Sequence, residues 1–210
     1  MRMFDVEGFI LVGGQSSRMG SDKSQLVFGQ QTGVERIARA LRPLSTRVRL
    51  VGSHVQAEAS GLANVPDTHE RWGALGGIGA ALGACQSEWA VVVACDLPLV
   101  SGDLFHRLCH LTQQTHPQTV DAIVPIQADG RPQPLCAVYR CVTCSGAAKK
   151  LIAEGEHKAR ALLATVRTRW VEFRELVDLP GSEHFFLNVN TSDDYERAKQ
   201  ALDRLQRKTT

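Results

Sequence analysis

A chain of 210 residues is long enough to bury a sizeable core, and 43% hydrophobic with 22% charged side chains is ordinary globular composition. The 24 basic and 22 acidic side chains leave a net charge of +2, which removes the electrostatic case for a nucleic-acid-binding or membrane-surface protein. No apolar stretch reaches the length of a membrane span and the opening MRMFDVEGF lacks the apolar region of a signal peptide, so a cytoplasmic protein of one domain, residues 1–210, is expected.

Phe9-Ile10-Leu11-Val12 is apolar without alternation, the pattern of a short strand buried on both faces. It runs into Gly13 and Gly14, where the missing Cβ atoms let backbone N–H groups approach and cradle phosphate oxygens. Arg18 and Lys23 add two cations for the same anion. Neither of two better-known phosphate loops fits. A Walker A loop needs a Gly-Lys pair, but Asp22 precedes Lys23, and the dinucleotide pattern G-x-G fails because Gly14 directly follows Gly13.

Val34, Ile37, Ala38 and Leu41 fall at helical spacing, and Pro43 ends that helix. Val48–Gly52 is a second strand, and an extended segment near Ala63–Val65 leads to Pro66 and Asp67. The glycine-rich run over 71–86 is expected to open a helix near Ile78. WAVVVACD (89–96) is the clearest buried strand, and Ser101 or Asp103 can cap the helix carrying Leu104, Leu108 and Leu111. Strands are expected near Ala122–Ile126 and Leu135–Tyr139, helices over 145–154 and 157–165, and late strands at Trp170–Phe173 and Phe186–Val189. Thr191 and Asp194 fit a capping box opening a last helix, with Tyr195, Ala198, Leu202 and Leu205 on one face. This β–α alternation predicts an α/β fold, a mostly parallel sheet with helices on both faces.

In such sheets ligands bind beyond the carboxyl ends of the strands. Three candidates sit there: the glycine loop, Asp96 after the strand through Cys95, and Asn188 to Thr191 closing the last expected strand. A carboxylate is a hard oxygen ligand for Mg²⁺, which keeps several waters and needs one or two protein groups plus phosphates, so Asp96 and Asn190 suffice. The six cysteines are expected as free thiols. Cys141-Val-Thr-Cys144 has no second pair with which to hold zinc, and reads as packed thiols more readily than as a redox pair. His106 and His110 share a helix face, but Arg107 stands where a zinc protease would carry glutamate.

LVGGQSSRMGSDKSQL resembles the signature L-A-G-G-x-x-x-R-M-G-x-D-K of the molybdenum cofactor guanylyltransferases (MobA). The resemblance continues through Pro66-Asp67, GALGGIGAAL (73–82), CDLP (95–98), RPQPLCAVY (131–139) and FLNVNTSDDYERA (186–198). It implies a Rossmann-like three-layer sandwich of the nucleotide-diphospho-sugar transferase type. It also implies Mg²⁺-dependent transfer of GMP from GTP to molybdopterin, with release of pyrophosphate. Carried over, Leu11, Val12, Gly13 and Gly14 line the nucleotide, Arg18 and Lys23 hold the triphosphate, and Asp67 contacts the nucleotide. Asp96 would bind Mg²⁺, and Asn188 and Asn190 would face the acceptor or the metal. Contacts with cofactor-biosynthesis proteins or target molybdoenzymes would be transient.

The chain departs from the pattern at Val12 for Ala, Ala74 for Pro, Arg131 for His and Ser192 for Pro. None touches a phosphate or metal position, but those near the acceptor bear on which pterin is used. A cytidylyl- or other nucleotidyltransferase acting on molybdopterin or a sugar phosphate stays open, as does a non-catalytic nucleotide-binding carrier of the cofactor. Gly13-Gly14 favours guanine, because cytidylyl relatives more often carry Ala-Ala-Gly.

Overall fold

The computed structural model describes residues 4–13, 26–52, 60–67, 72–114 and 119–209. In chain order the elements are β1 (Val6–Leu11), β2 (Val27–Phe28), β3 (Gln31–Thr32), α1 (Gly33–Leu41), β4 (Val48–Val51), β5 (Ala63–Val65), α2 (Gly73–Ala84) and β6 (Trp89–Ala94). They continue with α3 (Gly102–Gln114), β7 (Ala122–Pro125), β8 (Cys136–Arg140), α4 (Cys141–Ala153), α5 (Ala159–Thr165), β9 (Thr168–Val171) and α6 (Ser192–Thr209).

Among the described residues seven strands form one sheet in the order β5-β4-β1-β6-β8-β7-β9, and β2 pairs with β3 in a separate small hairpin. All neighbours are parallel except β8, which runs against both β6 and β7. The fold is the Rossmann-like sheet expected, with helices on both faces. Val6, Ile10, Leu50, Val91 and Val93 pack with α1 and α3 on one face. Phe9, Val51, Val65, Ala90 and Val92 pack with α2, α4 and α5 on the other. Central strands covered on both sides favour apolar side chains on both faces, which is why Phe9–Leu11 of β1 and all of β6 show no alternation.

Caps match the sequence where it was specific. Glu35 N donates to Thr32 Oγ1 at 3.2 Å while Thr32 N donates to Glu35 Oε2 at 2.7 Å, opening α1. Leu104 N donates to Ser101 Oγ at 3.2 Å, so Ser101 rather than Asp103 caps α3. Asp194 N donates to Thr191 Oγ1 at 3.1 Å at the head of α6.

Four elements differ most from expectation. Helix α2 begins at Gly73, five residues before Ile78, because its small residues lie flat on the sheet and hide the helical period. Helix α4 begins at Cys141, directly after β8, so Cys141 and Cys144 occupy its first turn. Strand β9 ends at Val171, and Phe173 starts a 3₁₀ turn. Phe186–Val189 is not a strand: a 3₁₀ turn, Ser182–His184, leads into an irregular connection. Its apolar residues pin that connection to the core, with Phe185 and Val189 each 1% exposed, instead of entering the ladder.

Candidate active site

The sheet register brings the carboxyl ends of its first four strands level. Leu11 is paired with Val51 on one side and Ala94 on the other, and Val51 with Val65. The residues that follow, Val12-Gly13, Gly52, Pro66-Asp67 and Cys95-Asp96, therefore line one rim. Backbone bonds extend past the ladder: Val12 N donates to Val51 O at 2.9 Å, Gly52 N to Val65 O at 3.1 Å, and Cys95 N to Leu11 O at 3.0 Å.

Two glycines set how closely these segments approach. Gly52 has φ +132°, and a Cβ there would lie 2.0 Å from the Val12 carbonyl oxygen. A Cβ on Gly77 would meet Leu11 Cδ1 at 3.2 Å and Asp67 Oδ2 at 3.8 Å, so α2 seats directly on Leu11 and Asp67. Gly13 itself takes φ +121° and is exposed.

The Cys95–Pro98 turn is the junction of the site. Val189 N donates to Asp96 O at 2.9 Å, which sets Asn188 and Asn190 on either side of the bond to the Asp96 turn. Asp96 is half-buried, and Asn188 and Asn190 are exposed. Asn190 N donates to Asp194 Oδ2 at 3.0 Å, tying this connection to the cap of α6. From the other side Arg36 Nε donates to Pro98 O at 3.1 Å, and burial, with Arg39 nearby, pushes the Arg36 guanidinium below its usual value. The chain re-enters beside this turn at Leu26, whose carbonyl accepts from Gly33 N at 3.1 Å. A Cβ on Gly33 would lie 3.4 Å from Cys95 O.

The structure thus gathers Leu11, Val12, Gly13, Asp67, Asp96, Asn188 and Asn190 at one end of the sheet. Asn188 and Asn190 arrive on a connection bound to the Asp96 turn, not at a strand end. Gly14, Arg18 and Lys23 lie outside the described residues. Sequence reasoning passed over Gly52, although a glycine directly after an apolar strand was the available signal.

The hard oxygen donors that this rim could offer a divalent cation are the Asp96 carboxylate and the Asn190 amide oxygen. Among the described residues no group of three or more His, Cys, Asp or Glu side chains could hold a metal ion. A hard cation that keeps waters and takes phosphate oxygens fits two such donors, whereas a cation needing an all-protein cage does not.

A family model described as the MobA-like NTP transferase domain matches residues 8–171. The chain belongs to the MobA-like NTP transferase family. It is a nucleotidyltransferase, and in open α/β sheets ligands bind beyond the carboxyl ends of the strands. A probable molybdenum cofactor guanylyltransferase of Pelotomaculum thermopropionicum is 32% identical over 198 residues, 94% of this chain and 93% of the relative. One from Carboxydothermus hydrogenoformans, also described as probable, is 30% identical over 191 residues, 90% and 92% of the two chains. Among solved structures, the molybdopterin-guanine dinucleotide biosynthesis protein A of Archaeoglobus fulgidus superposes with a TM-score of 0.79 at 24% identity. It covers 94% of this chain and 99% of its own.

Proposed function

We propose that this MobA-like protein, acting as a single domain over residues 1–210 in the cytoplasm, transfers GMP from GTP to molybdopterin and releases pyrophosphate. The observation that carries this reading is the junction at Asp96. One turn is bonded to the strand end that leads into the glycine loop and to the connection bearing Asn188 and Asn190. A donor nucleotide on the first and an acceptor on the second would meet beside one carboxylate. The guanylyltransferase descriptions of relatives about 30% identical over nine-tenths of the chain support the choice of substrates.

In this mechanism a terminal phosphate oxygen of the acceptor attacks the α-phosphorus of GTP, a new P–O bond forms, and pyrophosphate leaves with the electrons of the broken one. Both reactants are anions, so repulsion and alignment are the obstacles. Leu11, Val12, Gly13 and Gly14 hold the nucleoside and present backbone amides, with Asp67 beside them. Arg18 and Lys23 bind the triphosphate and stabilise the charge that develops on the departing pyrophosphate. Asn188 and Asn190 orient the acceptor. Asp96, with Asn190, would hold Mg²⁺, which when bound supplies charge neutralisation between phosphate oxygens. A phosphate attacker is already ionised near neutral pH, so no protein nucleophile or strong general base is required. Contacts with cofactor-biosynthesis proteins or target molybdoenzymes would be transient hand-overs of substrate and product.

The test is pyrophosphate release from GTP, CTP and ATP with Mg²⁺, with and without molybdopterin. Release from GTP that depends on the acceptor is expected. Acceptor-dependent release from CTP alone would keep the chemistry and change the donor. Nucleotide binding with no release from any of the three would make the protein a carrier.

A further inference from the structure

The head of α2 carries an aromatic pair to which the proposed transfer gives no role. Helix α2 crosses from β5 to β6, and the parallel pairing of β5, β4, β1 and β6 puts its first turn at the carboxyl end of the sheet, where the rim lies. Strand β8 runs the other way, so α4 starts at the far end and brings the turn that follows it, residues 154–158, back to the same end. Two different crossings thus deliver Trp72 and His157 to one place. Their rings lie face to face, with centroids 4.4 Å apart and planes within 16° of parallel.

The pair is seated rather than loose. Glu156 Oε1 accepts from His157 N and from Lys158 N, each at 2.8 Å, which shapes the turn. A Cβ on Gly73 would lie 3.7 Å from His157 O, so that turn rests on the start of α2. Trp72 is half-buried against the core on the α2 face of the sheet, and His157 is exposed. Trp72 is also the N-cap residue of α2 but makes no side-chain cap bond, so the indole does not do what a Ser, Thr, Asp or Asn does there. Four residues beyond Gly73, at Gly77, the same helix meets Leu11 and Asp67, about 6 Å along its axis. The stack therefore stands about one helical turn from two residues assigned to the nucleotide.

A stacked pair with an exposed ring accepts a further flat ring, and aromatic rings prefer such offset-parallel contact with centroids about 4.5–7 Å apart. Aliphatic groups gain nothing from the alignment. The two substrates of the proposed transfer share one flat group: guanine and pterin are both fused bicycles with a 2-amino-4-oxopyrimidine half. We propose, resting on that transfer reading, that Trp72 and His157 are a stacking platform for this fused ring, and so a specificity-determining pair. The ring continues the stack on the exposed imidazole, which leaves its phosphate-bearing end for the Asp96 turn. A single-ring base such as cytosine covers less of the platform and gains less from it. The fused ring has two sources, the base of the donor and the pterin of the acceptor, and the experiment separates them.

The experiment is calorimetric titration of the full chain with GTP in one arm and molybdopterin in the other, and with inorganic tripolyphosphate as a ligand that has no ring. Trp72→Leu and His157→Leu should each weaken binding in at least one of the two arms by about 5-fold or more, the usual loss for one base–aromatic stack. Trp72→Phe, which keeps a flat ring, should retain most of the affinity, and tripolyphosphate should bind all four chains alike. The arm that responds identifies the ring. Should Trp72→Leu fail to fold, His157→Leu, at an exposed turn position, decides alone. Unchanged affinity in both arms would overturn the platform and leave the transferase reading intact, and so would a loss equally large for tripolyphosphate, which marks a general distortion. A natural chain that binds neither GTP nor molybdopterin would overturn both.

Discussion

At the amino-terminal end of the sheet, polar side chains are buried and paired with one another. Glu7, 2% exposed near the start of β1, forms an ion pair with Arg49 and accepts from Gln86 N at 3.2 Å. Arg49 also donates to Ala84 O at 2.6 Å, locking the end of α2 to β1 and β4. Asp121, equally buried, takes two bonds from Arg167 at 2.7 and 2.8 Å. At the carboxyl end, Asp67 and Asp96 are half-buried, Asn188 and Asn190 are exposed, and the backbone makes the bonds that hold these segments in place. A buried charge must be satisfied within the protein, whereas an accessible one at a rigid rim can be satisfied by a ligand. One end of the same strands therefore carries buried, paired charges, and the other carries its polar side chains nearer to solvent.

The sharpest way to break this contrast is to remove one partner of the buried pair. Glu7→Ala should destabilise the protein by about 3–5 kcal/mol, because Arg49 is left charged and buried. Urea unfolding reads the loss, and turnover per folded molecule should barely change. The mirror experiment is Lys23→Ala. It should leave the unfolding midpoint in place and slow pyrophosphate release by about 10²–10³, the usual effect of losing one group that stabilises developing charge. Gly52→Ala probes the boundary between the two behaviours. A side chain there collides with the Val12 carbonyl and forces a backbone conformation costing about 1–3 kcal/mol. It should weaken GTP binding as well, since Val12 leads into Gly13, and a titration of GTP against both forms checks this.

A smaller effect concerns acid. The Arg167 guanidinium, against the opposing effect of burial, holds Asp121 below the usual carboxylate range. A folded value below the unfolded one of about 3.9 gives stability that is fully present above that pH and is lost as pH falls through the folded value. Asp121→Asn should therefore flatten part of the acid limb of a stability–pH curve below about pH 4, and leave the slope above pH 5 unchanged. The smallest change expected is Thr32→Ala, which removes one half of a capping box on α1 for about 1 kcal/mol in urea unfolding.

What the sequence disclosed follows the same division. Apolar runs located β1, β4 and β6, and strand-end positions pointed to Gly13 and Asp96, because local pattern determines both; Asp67 entered only through the family resemblance. The direction of β8 was not legible, since an apolar run reads the same whichever way the strand is inserted. Phe186–Val189 misled because apolar residues that anchor a connection look like a strand until their backbone partners are known. The Glu7–Arg49 pair joins residues far apart in the chain, and no spacing rule reaches that distance.

The most direct measurement compares Asp96→Asn with the natural protein in acceptor-dependent pyrophosphate release from GTP and in urea unfolding, on the same samples. The account predicts release lost by at least about 10²-fold with the unfolding midpoint unchanged, since Asp96 is placed in the chemistry rather than the core. Near-natural release from the folded variant would contradict it and remove Asp96 from the centre of the site.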